Sequence, residues 1–260
     1  MAAFESGNGG ADELRRLLDD SQRIVAFTGA GISTESGIPD FRSPGGIWSR
    51  MEPITFQKFV VSEEARLEDW RRRFEMNRVY GEAQPNIAHV ALAHLVAEGR
   101  SAGVVTQNID GLHVRGGLAA ESLVELHGNA TYAHCISCRR RYELDAMEAQ
   151  IEAEKRAPRC EECGGFVKSA IVSFGEAMPE AEMRRALDLA ESCDLMLVLG
   201  SSLQVQPAAG IPVVARRAGA RLAILNREST HLDGFANLAL QGEIGAILAG
   251  VFPQLAGELH

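Results

Sequence analysis

The sequence predicts an α/β fold: a Rossmann-like parallel sheet with helices on both faces, plus a smaller lobe that is zinc-binding and helical. Apolar runs typical of buried strands alternate with stretches at helical spacing. The distinctive polar segments come directly after these strands, where such sheets bind ligands. Two stretches, 44–83 and 132–167, break the alternation, and we assign them to the smaller lobe.

Strands separated by helices require crossover connections and therefore a parallel sheet. We predict strands at 23–29, 103–107, 194–200 and 221–226, and helices at 12–20, 85–98, 180–191, 207–218 and 243–251. The Rossmann-like domain is then expected to comprise 11–43, 84–131 and 168–260. Residues 1–10 lack the basic and apolar segments of a signal peptide, and we expect them to be a disordered lead-in.

Composition narrows the function classes. The chain has 260 residues, 46% hydrophobic and 23% charged, which is ordinary for a globular protein. A net charge of −9 argues against general nucleic-acid binding and is compatible with a cationic peptide substrate. The apolar runs are too short to cross a bilayer. We expect a cytoplasmic monomer with no specific nucleic-acid or membrane partner.

Four of the five cysteines form two Cys-x-x-Cys pairs, Cys135/Cys138 and Cys160/Cys163, separated by twenty-one residues. Two such pairs can close a tetrahedral zinc site, and four thiolates leave no position for a water. This pattern predicts one structural Zn²⁺; free thiols or a redox pair are the alternative. Cys193 precedes an apolar strand and is expected to be a core thiol.

A glycine turn, Gly29-Ala30-Gly31, follows the first strand and allows a close approach of the backbone to a ligand. The ordinary dinucleotide fingerprint would need glycine at position 34, where this chain has Thr34. No acidic residue stands about twenty residues further on at the end of a second strand. The turn therefore indicates nucleotide binding but argues against a hydride-transfer dehydrogenase.

Five segments, in this order, resemble the signature of the sirtuins, the NAD-dependent protein deacylases. They are 29–43, 106–113, His127-Gly128, the paired Cys-x-x-Cys and 200–207. The resemblance runs from about residue 24 to residue 245 and implies the bacterial-type minimal catalytic core. It also explains the departure at Thr34, because sirtuins hold NAD differently and cleave it.

The resemblance implies a set of NAD-binding residues: pyrophosphate and ribose contacts, a mobile loop over the nicotinamide ribose, and an adenosine end. These residues are Gly29, Ala30, Gly31, Ser33, Gly37, Asp40, Phe41, Arg42, Trp48, Gln107, Asn108, Ile109, Asp110, His127, Gly200, Ser201, Ser202, Asn226, Arg227, Glu228 and Ile244.

His127 and Asn108 are the catalytic residues that the resemblance implies. A histidine titrates near neutrality and can act as general base, and Gly128 is expected to leave room for a ligand. In the implied mechanism the acyl oxygen attacks C1′ of the nicotinamide ribose, nicotinamide leaves and an O-alkylimidate forms. His127 then helps to deprotonate a ribose hydroxyl, the 2′-oxygen attacks the imidate carbon, and water completes acyl transfer to ADP-ribose. The remaining histidines are expected to be core or surface residues.

The partner implied by the resemblance is an acylated lysine in an extended peptide that adds as a strand between two edges. The implied contacts are Val172, Phe174, Gly175, Glu176 and Val205. Val172 and Phe174 could instead be ordinary core residues.

Deacetylation is the simplest activity that the resemblance implies. The Tyr-x-x-Arg pair of desuccinylase-type sirtuins would align with Arg73 and Met76, so a preference for succinyl or malonyl groups is not expected. The alternatives are a protein ADP-ribosyltransferase, a long-chain deacylase and a non-catalytic NAD-binding module. The presence of Asn108, Asp110 and His127 argues against the last.

Overall fold

The structure is a computed structural model that describes residues 4–5, 8–41, 46–47 and 51–257. Within these residues, seven parallel strands form the main sheet: β1 (Phe4–Glu5), β2 (Ile24–Thr28), β3 (Ser101–Thr106), β4 (Leu123–Glu125), β8 (Leu195–Leu199), β9 (Arg221–Asn226) and β10 (Leu238–Gln241). Their order is β1-β10-β9-β8-β2-β3-β4. The sheet order changes direction at β2, so β3 and β8 lie on either side of it.

The helices within these residues are α1 (Asn8–Asp19), α2 (Phe56–Val61), α3 (Glu63–Glu82), α4 (Ile87–Ala97), α5 (Leu112–Arg115), α6 (Leu144–Glu154), α7 (Glu180–Ser192), α8 (Ile211–Arg217) and α9 (Ile244–Val251). None of the helices in the described part of the chain has the length and hydropathy of a membrane span.

Helices cover and bury both faces of the main sheet. Successive residues of a strand point to opposite faces. Ala26 faces the cluster that α1, α4 and α9 cover. Its neighbours Val25 and Phe27 face the cluster covered by α7 and α8. All five residues of β2 are buried, as a central parallel strand requires. The predicted Rossmann-like sheet with helices on both faces is confirmed.

The smaller lobe contains an antiparallel sheet with the order β6-β5-β7, made of β5 (Gly128–Cys135), β6 (Arg141–Glu143) and β7 (Val167–Ile171). Its apolar cluster joins Trp70 from α3 and Met147 from α6 to Ala133 and Val167 of the sheet. The expected smaller lobe is therefore present. Its sheet begins at Gly128 and ends at Ile171, outside the expected segment 132–167.

The four predicted strands are present, and each predicted helix has a counterpart within a few residues. The disordered lead-in expected over 1–10 is wrong in part, because Phe4–Glu5 pairs with β10 and α1 begins at Asn8. Strands β1, β4 and β10 were not predicted, since they span only two to four residues and carry little periodicity.

The turns that follow β2 and β8 lie directly against each other. The Gly31 amide donates to the Gly200 carbonyl at 2.8 Å. A Cβ on Gly31 would lie 2.8 Å from that oxygen, and a Cβ on Gly200 would lie 2.1 Å from the amide nitrogen of Ile32. Gly29 is equally close to Gly200 and Ser201. The glycines of the first turn are thus required by contact between two protein segments, in addition to any approach to a ligand.

We predict that Gly200→Ala lowers the free energy of unfolding by about 3 kcal/mol or more, because it combines a positive φ with a backbone clash. Gly99→Ala is the matched control, since φ is 71° at Gly99 and 63° at Gly200, but nothing lies within 4 Å of the Gly99 Cβ position. The control should lose only about 1 kcal/mol. Urea unfolding measures both, and equal losses would contradict the proposed contact.

Candidate functional site

A cleft of about 370 Å³ lies at the carboxyl ends of β2, β3, β8 and β9. Most of the residues predicted to contact NAD or peptide line it: Gly29, Ala30, Gly31, Ser33, Asp40, Phe41, Gln107, Asn108, Ile109, Asp110, His127, Val172, Phe174, Gly175, Glu176, Gly200, Ser201, Ser202, Val205, Asn226, Arg227, Glu228 and Ile244. Gly37 is not part of the lining; at φ 86° it ends the 3₁₀ helix Ala30–Ser36 that follows β2. Arg42 and Trp48 lie outside the described residues.

Asn108 and Asp110 follow β3 and are held by the glycine turn. The Asn108 amide donates to the Gly29 carbonyl at 3.1 Å and to the Ser33 hydroxyl at 3.3 Å. Ser33 in turn donates to Asp110 Oδ2 at 2.8 Å. All three side chains are at least nine-tenths buried. Because each is hydrogen-bonded to the others or to the backbone, their positions in the cleft are fixed.

Burial raises the pKa of Asp110, while hydrogen bonds from the Leu112 amide and the Ser33 hydroxyl act in the opposite direction. Leu112 donates to Asp110 Oδ1 at 2.9 Å. Both carboxylate oxygens therefore have donors, which stabilise the ionised form in a buried place.

Two buried histidines lie behind these residues. His89 Nε2 is 3.4 Å from the Ser33 hydroxyl, and His113 Nε2 is 2.9 Å from the Thr28 hydroxyl. The two rings meet edge to face, with centroids 5.0 Å apart. Burial lowers the pKa of His113 to about 4 and holds the pKa of His89 well below its usual range. They are core residues, as expected, but they contact the polar network of the site.

The polar residues behind the cleft were not assigned to the site from the sequence. Thr28 and Thr106 end neighbouring strands, and their hydroxyls are 2.7 Å apart. Asn86 caps α4 and also donates to the Ile32 carbonyl at 2.8 Å. The available signal was the threonine that ends each of β2 and β3, because residues at the carboxyl ends of parallel strands converge at one edge of the sheet.

His127 lies between β4 and β5 and lines the cleft. Its Nδ1 is 2.9 Å from the Gln107 carbonyl, which can only accept, so Nδ1 carries the proton. In the neutral ring Nε2 is then the basic nitrogen. Gly128 has a φ of 77°, and a Cβ there would lie 2.0 Å from the Ala170 carbonyl oxygen. Packing of β5 on β7 therefore explains this glycine, rather than the expected room for a ligand.

The turn after β8 is joined to the end of β3. Gln107 donates from Nε2 to the Ser201 hydroxyl at 2.8 Å. That hydroxyl also accepts from the Leu203 amide at 3.2 Å. Ser201 thus holds the turn after β8 next to Gln107, which follows β3.

The far end of the cleft follows β9. Arg227 donates to both oxygens of Glu243 at 3.0 Å, and Asn226 Nδ2 donates to the Glu228 carbonyl at 2.8 Å. Glu35, from the 3₁₀ helix, accepts from the Gly245 amide at 2.8 Å. These contacts join the 3₁₀ helix to the first turn of α9, and Arg227 to the residue directly before that helix.

The segment 172–176 forms the opposite edge. The Val172 amide donates to the His127 carbonyl at 2.9 Å. The Phe174 carbonyl accepts from the Phe56 amide at 2.9 Å, and the residue is 45% exposed. A core role is therefore excluded for Phe174. Val205 and Pro207 line the cleft as well, so both edges expected for a peptide border one cleft.

The four cysteines of the two pairs converge in the smaller lobe. Their sulfur atoms all lie within 4.8 Å of one another, with Cys135–Cys163 and Cys138–Cys160 each 3.5 Å apart. Sulfurs around one tetrahedral zinc are about 3.8 Å apart, so the group fits that ion. Tyr142 donates its hydroxyl to Cys160 Sγ at 3.1 Å, which is a suitable outer contact for a thiolate. Cys193 is buried elsewhere, against the Ala190 carbonyl.

The profile of the Sir2 family matches residues 29–207, which include the glycine turn, Asn108, His127 and the cysteines. The chain belongs to the Sir2 family. A family member from Bradyrhizobium diazoefficiens, named NAD-dependent protein deacetylase 1, is 52% identical over 239 residues, covering 92% of this chain and 94% of its own. Another from Thermodesulfovibrio yellowstonii, named NAD-dependent protein deacetylase, is 44% identical over 242 residues, 93% of this chain and 94% of its own.

Solved Sir2 structures share the fold. A Sir2 complex with a p53 peptide and NAD⁺ has a TM-score of 0.82 and 36% identity, covering 95% of this chain and 98% of its own. A Sir2 bound to acetylated peptide has a TM-score of 0.81 and 34% identity, covering 96% of this chain and 99% of its own. The sequence resemblance to the sirtuins is thus confirmed over nearly the whole chain.

We predict that the purified protein carries about one zinc ion per chain and that Cys138→Ser abolishes this binding, because three thiolates no longer complete the site. Loss of the metal should also make the smaller lobe sensitive to protease. Elemental analysis and limited proteolysis measure the two effects. Cys193→Ser is the control and should keep its zinc. Full zinc content in Cys138→Ser would refute the assignment.

We predict that the free energy of unfolding falls as the pH is lowered from about 6.5 to 4. The pKa of His113 is lower in the folded protein, so the unfolded chain binds more protons in this range. His113→Gln should reduce this slope, whereas His231→Gln, at an exposed position, should not. Burial raises the pKa of Glu125 to about 7, so this carboxyl makes the free energy of unfolding rise as the pH falls. The wild type and both variants share this opposite contribution. Urea unfolding between pH 6.5 and 5 tests this, and an unchanged slope in His113→Gln would contradict it.

Proposed function

We propose that this chain is an NAD-dependent protein-lysine deacylase, most simply a deacetylase, that transfers the acyl group to ADP-ribose and releases nicotinamide. The observation that carries the proposal is the convergence of His127, Asn108 and the paired turns at Gly31 and Gly200 on one cleft. The Sir2 family membership and the deacetylase names of the relatives support it.

NAD supplies the ADP-ribose that accepts the acyl group. Its pyrophosphate is proposed to lie against the turn at Gly29–Ser33 and the turn at Gly200–Ser202, which offer backbone amides and hydroxyls. Asn108 and Asp110 would hold the nicotinamide end, and Asn226–Glu228 the adenosine end. Arg42 and Trp48, which belong to the implied NAD set, remain part of this proposal.

His127 is proposed to act as the general base. Because Nδ1 donates to the Gln107 carbonyl, the ring is held in one tautomer, and Nε2 can take a proton from a ribose hydroxyl. Asn108 is fixed by Gly29 and Ser33 and would orient the nicotinamide carboxamide and ribose before the bond is cleaved.

The substrate is proposed to be an acylated lysine in an extended peptide, lying between 172–176 and 205–207. The apolar part of the lining, with Ile38, Met76 and Ile171, suits a neutral acyl group. Arg73 also lines the cleft, but it is paired with Asp69 at 3.3 Å, which disfavours its use for an acidic acyl group. We further propose a cytoplasmic monomer without nucleic-acid or membrane partners.

Mass spectrometry of an acetyl-lysine peptide, incubated with the protein with and without NAD, tests the function. We expect NAD-dependent loss of the acetyl group with equal amounts of nicotinamide and O-acetyl-ADP-ribose. Intact acetyl and longer acyl peptides would contradict the deacylase. NAD consumption with transfer of ADP-ribose to protein would instead favour the ADP-ribosyltransferase.

We predict that His127→Ala lowers deacetylation by a factor of about 10²–10⁴, because it removes the base, while NAD binding is retained. Initial rates of peptide deacetylation and calorimetric titration with NAD measure the two effects. His231→Ala, at an exposed position, is the matched control and should retain the wild-type rate. A wild-type rate in His127→Ala would refute the assignment of the base.

A further inference from the structure

Lys168 on β7 is a buried lysine whose charge has a single close carboxylate among the described residues. Only 1% of its side chain is exposed, and Nζ lies 2.9 Å from Glu176 Oε2. The ammonium also donates to the carbonyls of Ile171 and Ser169. A lysine is rarely buried to this extent unless it is paired, so the ion pair explains its presence here.

The same carboxylate oxygen closes the turn that forms the peptide edge. Glu176 Oε2 accepts from the Ser173 amide at 2.9 Å, and the Glu176 amide donates to the Ser173 carbonyl at 3.0 Å. Lys168 therefore ties the turn 173–176 to β7 through one oxygen atom. The residues between the two ends of this turn, Phe174 and Gly175, are exposed and line the cleft.

Charges on α3 surround this contact. Asp69 is buried and paired with Arg73, and both line the cleft. Burial lowers the pKa of Lys168, whereas the charges of Glu176 and Asp69 oppose that shift and Arg73 adds to it. Two cations and two carboxylates thus balance one another at the junction of α3, β7 and the turn. Removal of one member leaves its partner buried and unpaired.

We propose that Lys168 is a positioning residue for the acylated peptide: its ammonium holds Glu176 and thereby fixes the edge 172–176 on which the peptide lies. The inference rests on the proposed deacylase function. Peptides that add as strands depend on the position of the backbone to which they hydrogen-bond. A turn released from β7 must be ordered again when the peptide binds, which weakens peptide binding without touching the NAD end of the cleft.

Lys168→Met tests the inference, because methionine keeps an unbranched side chain of similar length and removes the charge. We expect the KM for an acetyl-lysine peptide to rise about tenfold, while kcat at saturating peptide and the KM for NAD change less than about threefold. Glu176→Gln breaks the same pair at a less buried position and should act in the same direction. The double variant should be no worse than the poorer single variant, since both changes remove one contact.

Lys155→Met is the matched control, an exposed lysine at the end of α6, and should leave both KM values unchanged. Calorimetric titration with NAD verifies that each variant is folded. If Lys168→Met does not fold, the peptide KM of Glu176→Gln tests the proposal in its place. A peptide KM within twofold of wild type, or a parallel change of kcat and both KM values, would overturn the proposal. Failure of both variants to fold would also overturn it, because the Lys168–Glu176 pair would then be required for folding and not for positioning the peptide. An inactive wild type would instead refute the proposed function.

Discussion

The contact between the turns after β2 and β8 is the constraint on which the rest of the site depends. The Gly31 amide donates to the Gly200 carbonyl, and neither residue has room for a Cβ. Neighbouring parallel strands place their carboxyl ends side by side, and glycine lets the two chains touch there. The closed pair of turns presents Gly29 and Ser33 to Asn108. If the two turns lay further apart, Asn108 would lose its hydrogen bonds to Gly29 and Ser33. The proposed nicotinamide end of the cleft would then no longer be held in place.

The site is polar but largely withdrawn from water, which has consequences for stability. Asn108, Asp110, His89 and His113 are all at least nine-tenths buried. Such groups are tolerated because they are hydrogen-bonded. Ser33 contacts Asn108, Asp110 and His89, and Thr28 contacts His113. Burial keeps both histidines neutral near pH 7. The network fixes donors and acceptors before a ligand arrives, so less ordering remains for binding. Lys168 and Glu176 repeat this arrangement on the peptide side, with charges instead of neutral groups.

The sequence predicted the parts of the fold that rest on local pattern. Apolar runs predicted the central strands, and the two Cys-x-x-Cys pairs predicted that four cysteines converge, since each run and each pair lies within a few neighbouring residues. The short strand β4 and the antiparallel sheet of the smaller lobe depend on pairing between distant segments, which no local pattern reveals. His89 and Lys168 were missed for the same reason: each acquires its role only from a residue on another segment or turn.

A crystal structure of the protein with NAD and an acetyl-lysine peptide would show where the two ligands meet in the cleft. We expect the pyrophosphate against Gly29–Ser33 and Gly200–Ser202, and the nicotinamide ribose beside Asn108 and His127. The peptide should lie between 172–176 and 205–207, with its acyl group directed toward that ribose. NAD bound with its nicotinamide end away from His127, or a peptide outside this cleft, would contradict the proposed site.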